Sequence, residues 1–169
     1  SFTVRINDRG ILKGMAAWCG FREESYDQVF ITLDKMDKIG MDGVKAELLE
    51  NGYGEDQVER YLGLFTTVTK DADGVRRLGE LLKDVMPQSV SQGLAHIMDT
   101  VKDVAVAEFN IEFDPTLVRG MSYYTGTIFE VAMEGFGGSV AGGGRYDKMI
   151  GKFTGMETPA CGFSIGFER

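Results

Sequence analysis

Cysteine, histidine, tryptophan and proline are scarce: two Cys, one His, one Trp and three Pro in 169 residues. Two cysteines, Cys19 and Cys161, exclude a disulfide framework and a four-cysteine zinc site. Both read as buried free thiols, because neither has a cationic neighbour in sequence to make a reactive thiolate. The lone His96 lies beside the apolar side of a helical stretch and reads as structural, although imidazole is the usual general base. No apolar run approaches the ~20 residues that cross a bilayer. Ser1 to Arg5 has neither the apolar core nor the cleavage pattern of a secretory signal. No membrane and a reducing cytoplasm are the expectation. Positive charge is also in deficit, 18 Lys+Arg against 26 Asp+Glu, for a net charge of −8 and a pI near 4.7. That excludes a general basic nucleic-acid coat but not a local nucleotide site.

Hydrophobic residues at 43% and charged residues at 26% are the balance of a folding chain of one domain, or one domain with an insertion. Glycine is the excess: 23 residues, roughly twice the ~7% average. Twelve of them fall within the 47 residues from Gly120 to Gly166. The chain begins without Met and stops at Glu168-Arg169 after a strand-like run, so it reads as a piece of a longer protein.

Residues 2–6 alternate as a strand, and Asn7 or Asp8 is placed to cap a helix carrying Ile11, Leu12, Met15, Ala16 and Trp18. From about 24 to 107 the apolar period is helical. The spacing predicts helices over 26–39, 43–49, 56–65, 73–86 and about 88–109, with Leu81, Val85 and Val104 on inward faces. The stretch from Glu47 to Glu59 reads as a solvated acidic face. After 109 the period becomes alternating. Strands are expected at Ile111–Phe113, Thr127–Met133, Ser139–Ala141 and Cys161–Ile165, with an amphipathic helix over 146–153. That order points to a helical domain inserted into an α+β domain with an antiparallel, glycine-rich region.

Three stretches carry chemistry. Leu117-Val-Arg-Gly-Met-Ser-Tyr-Tyr-Thr-Gly126 combines Arg119, a donor fork suited to carboxylate or phosphate, with Tyr123 and Tyr124, flat walls with polar tips. It reads equally as a turn with a packed aromatic pair. Gly142-Gly143-Gly144-Arg145-Tyr146-Asp147 offers backbone N–H groups to an anion if it is a strand-to-helix turn, and otherwise is simply a tight turn. Gly162-Phe-Ser-Ile-Gly-Phe-Glu-Arg169 hands a strand to a helix start where Arg169 can meet a phosphate, or is an ordinary helix opening.

Taken together, these stretches resemble the class II aminoacyl-tRNA synthetases, specifically the histidyl-tRNA synthetase family. Val118-Arg-Gly-Met-Ser-Tyr-Tyr-Thr-Gly126 is similar to the first histidine signature, Gly143-Gly-Arg-Tyr-Asp147 to the second, and Gly162 to Arg169 to the opening of motif 3. Phe2 to Leu12 is similar to the strand and helix after motif 2, and Asp34-Lys-Met-Asp-Lys38 to the start of the family's helical insertion.

The resemblance implies an α+β fold: a partial class II antiparallel sheet with helices, carrying an inserted helical domain. Residues 1–22 and 109–169 would be core segments and 23–108 the insertion. It implies ATP-dependent activation of L-histidine to histidyl-adenylate and transfer to tRNA(His), with Mg²⁺ accompanying ATP, in a cytoplasmic homodimer. Arg119 would be catalytic, touching the histidine carboxylate and the α-phosphate. Tyr123, Tyr124 and Tyr146 would line the histidine pocket over a floor of Gly142, Gly143 and Gly144, and Arg169, with Arg119, would bind ATP. Motifs 1 and 2 would precede Ser1 and the anticodon-binding domain would follow Arg169, so the fragment alone is expected to be inactive. Met121-Ser122 departs from the usual Leu-Asp. Variants of that loop occur in the family's non-catalytic relative, the regulatory subunit of ATP phosphoribosyltransferase, which is the alternative reading.

Overall fold

A computed structural model of the chain describes residues 1–120 and 122–166. Phe2–Asp8 forms β1. Its alternation gives two unlike faces, Phe2, Val4 and Ile6 on one and Thr3, Arg5 and Asn7 on the other. Asp8 ends the strand and caps α1 (Arg9–Trp18), its side chain accepting from the Gly10 N–H at 2.7 Å. Ile11, Leu12, Met15 and Ala16 are wholly buried along α1, and Gly20 at φ 79° ends the run.

Five helices follow: α2 (Tyr26–Leu33), α3 (Met36–Glu50), α4 (Glu55–Thr67), α5 (Ala72–Leu81) and α6 (Gln88–Val104). The single helix expected over 26–39 is broken at Asp34-Lys35. Gly40, at φ 69° and ψ 179°, then kinks α3, which no other residue type adopts without strain. Helix α5 stops at Leu81, so Leu82 takes the inward position, while Leu81 and Val85 are exposed, as is Val104, the last residue of α6. Helices α5 and α6 meet closely because Gly79 faces Ser91: a Cβ on Gly79 would lie 2.1 Å from the serine Oγ. Cys19 is buried as expected; Cys161 is exposed, because it begins an outer strand. His96 is exposed on α6.

The remaining elements are β2 (Asn110–Phe113), β3 (Thr127–Met133), β4 (Ser139–Arg145), α7 (Gly151–Thr154) and β5 (Cys161–Ile165). The amphipathic helix expected over 146–153 is reduced to α7. Asp147 instead turns back, accepting from Arg145 Nε at 2.8 Å and bonding through its N–H to the Thr125 hydroxyl at 2.9 Å.

The strands form one sheet in the order β2-β1-β3-β4-β5. All neighbours run antiparallel except β1 and β2, which are parallel, so the sheet is mixed rather than purely antiparallel. The cause is the connection: the whole helical segment lies between β1 and β2, long enough for the chain to return and re-enter in the same direction. The apolar side of β1 and β2, with Val4, Ile6 and Ile111, shares an apolar groove with Ile97 and Val101 of α6. A continuous buried core joins Ile6 and Ile128 of the sheet to Leu12 and Met15 of α1 and to Leu48 and Tyr61 of the helices. The polar side of β1 belongs to the opposite face, where the candidate site lies. No described helix is long and apolar enough to cross a membrane.

Candidate functional site

Pairing register builds the floor of the site. Arg5 stands opposite Glu130, Glu130 opposite Gly142 and Gly142 opposite Ser164, making one cross-strand row. The next row on the same face is Asn7, Ile128, Gly144 and Gly162. Toward β4 and β5 this face therefore carries almost no side chains. Each bare glycine admits one large side chain from a loop. A Cβ on Gly142 would lie 2.8 Å from Arg119 Nη1, one on Gly144 2.9 Å from the Tyr124 ring, and one on Gly162 2.4 Å from the Tyr146 hydroxyl.

Residues 142–144 are thus a strand paired on both sides, not a strand-to-helix turn. Their N–H groups belong to the ladders and do not cradle an anion. What the glycines supply is clearance. Gly143 faces the other way, toward Gly162 O and Phe163.

The loop above this floor is pinned from β1 and from the first residue of α1. The Asp114 N–H donates to Ile6 O at 2.9 Å, and buried Asn7 donates from Nδ2 to Leu117 O at 3.0 Å. The Arg9 N–H donates to Gly126 O at 3.0 Å. Arg119 sits between these anchors at φ 54°, the one non-glycine residue of positive φ among the described residues. Such backbone is costly for a side chain larger than hydrogen and concentrates at functional sites. Its guanidinium donates from Nη1 to Glu130 Oε2 at 3.1 Å.

Tyr123 and Tyr124 lie 4.6 Å apart between centroids, and Tyr146 meets Tyr123 edge-on at 5.7 Å. Hydrogen bonding to Tyr124, with slight burial, holds the Tyr123 phenol above its ordinary pKa and neutral near pH 7. Arg119, the three tyrosines, Gly142, Met149, Gly162 and Ser164 line one cavity of about 310 Å³, a size suited to a small polar molecule.

Of the expected site residues, the structure brings together Arg119, Tyr123, Tyr124, Tyr146, Gly142 and Gly144. Arg145 turns out to solvent onto Asp147. Arg169 lies outside the described residues. Sequence reasoning passed over Gly162, Ser164, Glu130, Arg5 and Asn7 as site residues. The alternation of β1 held a signal for two of them, since it sets Arg5 and Asn7 on one side of an otherwise apolar strand.

Asp8 yields a pH prediction. Burial raises its carboxyl pKa, outweighing the Gly10 N–H, the Thr127 hydroxyl at 3.2 Å and the charge of Arg145. A carboxyl raised on folding binds its proton more tightly in the folded state. Stability is therefore greatest below the ordinary carboxylate pKa and falls as pH rises through the raised value. Asp8→Asn, which retains a capping oxygen, will lack that decline and exceed the parent in stability at neutral pH, as urea titrations between about pH 4 and pH 7 will read.

The family model for histidyl-tRNA synthetase matches residues 1–169. Among curated relatives, a histidine--tRNA ligase of Leifsonia xyli is 45% identical over 99% of this chain and 39% of its own length. One of Korarchaeum cryptofilum is 37% identical over 100% of this chain and 38% of its own length. A crystal structure of histidyl-tRNA synthetase from Nostoc sp. PCC 7120 superposes with a TM-score of 0.87 at 28% identity, covering 98% of this chain and 40% of that one. A Bacillus halodurans structure described as an ATP phosphoribosyltransferase regulatory subunit/histidyl-tRNA synthetase shares the fold, with a TM-score of 0.80 at 22% identity over 98% of this chain and 42% of that one. The chain thus spans about two-fifths of the length of these relatives, and with a whole-length match to the family model it belongs to the histidyl-tRNA synthetase family.

Proposed function

We propose that the longer protein carrying this chain is a histidine-tRNA ligase, in which the L-histidine carboxylate displaces pyrophosphate from ATP to give histidyl-adenylate and the histidyl group then passes to tRNA(His) with release of AMP. The observation that carries this is the cavity in which Arg119, Tyr123, Tyr124 and Tyr146 converge over bare glycines. In this reading the tyrosine walls and hydroxyls hold the imidazole and the Arg119 fork meets the histidine carboxylate. When that carboxylate attacks the α-phosphorus, the same guanidinium faces the developing charge, where a fixed donor lowers the barrier most. Arg169 would take the other ATP phosphates. No grouping of His, Cys, Asp and Glu among the described residues is built to hold a metal alone, so Mg²⁺ would arrive on the ATP phosphates.

Residues 1–22 and 109–169 act in this reading as segments of the catalytic core and 23–108 as its helical insertion, within a cytoplasmic homodimer. The alternative, a non-catalytic regulatory subunit of ATP phosphoribosyltransferase, draws on Ser122 and on the shared fold. The curated ligase relatives favour the enzyme.

The test is calorimetric titration of this chain with L-histidine and with histidinol, which lacks the carboxylate. Saturable binding of L-histidine, tighter than that of histidinol, is expected. ATP–pyrophosphate exchange by the longer protein then separates enzyme from regulator. A longer protein that binds histidine and exchanges no pyrophosphate overturns the ligase reading.

A further inference from the structure

The row Arg5, Glu130, Gly142 places a carboxylate between two guanidinium groups. Glu130 Oε2 accepts from Arg119 Nη1 at 3.1 Å, while Oε1 lies 3.9 Å from Arg5 Nη1. All three side chains are only 20–24% exposed, so the interactions are less screened than those of surface pairs. Arg5 is itself held: its Nε donates to Asp114 at 2.6 Å and its Nη1 to Asp37 at 3.0 Å. Burial alone would lower the Arg5 pKa, but Asp114 and Asp37 outweigh it, so its charge is permanent. Asp114 in turn accepts from the Thr116 N–H and hydroxyl at 2.9 and 2.6 Å, which fixes the start of the loop bearing Arg119.

An arginine side chain has several rotatable bonds and loses substantial entropy when immobilised. The backbone at Arg119 sets only where the side chain departs. Something must hold its far end flat over Gly142, and the one-sided bond to Glu130 does so while leaving the rest of the donor fork for a ligand.

We propose that Glu130 is a positioning residue for Arg119: its carboxylate, steadied by Arg5, fixes the Arg119 guanidinium over Gly142 in the orientation that receives a ligand carboxylate. The ligand part of this inference rests on the histidine reading of the site; the positioning part does not.

The test compares the chain with Glu130→Gln, Arg119→Ala and the double variant. Glutamine keeps the shape and one accepting oxygen but removes the charge. In the ¹⁵N spectrum of arginine side chains, the two Arg119 Nη signals, identified by their loss in Arg119→Ala, will exchange slowly in the parent, as restricted rotation about Nε–Cζ requires. They will exchange faster in Glu130→Gln, where only a weaker neutral hydrogen bond remains, with backbone amide signals away from β3 unmoved. By calorimetry, Glu130→Gln will weaken L-histidine about tenfold, as expected for a charge-assisted bond. It will leave histidinol unchanged and add nothing to Arg119→Ala.

Unchanged Arg119 guanidinium rotation in Glu130→Gln overturns the proposal, and so does equal weakening of L-histidine and histidinol. If the parent binds neither molecule while Glu130→Gln still frees the guanidinium, the histidine reading fails and the positioning role stands.

Discussion

Gly143→Ala will lower the unfolding free energy by about 3 kcal/mol, the upper range for overpacking in a close-packed site. Gly142→Ala, one residue earlier, will lower it by less than about 1 kcal/mol. The two glycines differ in what a methyl group would strike. At Gly143 the Cβ would lie 2.1 Å from Gly162 O and 2.7 Å from Phe163 Cα, both backbone atoms of β5. Relief requires β5 to move away from β4, and with it the pairing that runs from Ala141 to Arg145. At Gly142 the Cβ would meet the tip of Arg119, which can swing aside. Urea denaturation of both variants will show the difference in stability. Titration with L-histidine will reverse the order among variants that stay folded, because Gly142→Ala displaces the guanidinium from its seat while Gly143 lies on the other face. Equal stability of the two variants would contradict the described register.

The second large effect concerns Arg119. In the proposed ligase, its removal will lower ATP–pyrophosphate exchange about 10²–10³-fold, the usual loss when one fixed donor at a developing charge is deleted. The replacement also matters for stability. At φ 54° any residue with a Cβ is strained, and glycine is not. Arg119→Gly will therefore be more stable than Arg119→Ala by about 1 kcal/mol, the cost of left-handed backbone for an L-residue. Both variants lose the bond to Glu130 and the donor fork alike, so their activities will be equally low. Thermal melts of the chain and exchange assays of the longer protein separate the two quantities. An alanine variant as stable as the glycine variant would mean that the loop relaxes out of its left-handed turn once the side chain is gone.

Much of the fold was legible where local chemistry decides it. The strand at Thr127–Met133 and that at Cys161–Ile165 follow from alternation, and the Asp8 cap from its position before an apolar helical run. The misreadings share a cause. Gly142 to Gly144 show no alternation because glycine has no side chain to alternate, so a central strand looked like a turn. The parallel pairing of β1 with β2 depends on which distant strand lies alongside, and no local pattern encodes that. In the site, Arg119 and the tyrosines were readable as chemical groups close in sequence or in paired motifs. Glu130, Arg5 and Gly162 were not, because their roles arise from cross-strand register.

The position of β1 also bears on how the chain is made. It is an inner strand, yet both its neighbours, β2 and β3, come after all six of the first helices. The bond from Asn7 to Leu117 O joins residues 110 apart in sequence. At about 5–20 residues per second, a ribosome takes roughly 5–20 s to synthesise the partner after β1 itself has emerged. Throughout that interval β1 lacks both of the strands that flank it, and the sequence of α1 to α6 is completed before either of them is made. The ladders on both sides of β1 therefore close late, across more than a hundred residues of intervening chain, which is the kind of long-range pairing that slows folding.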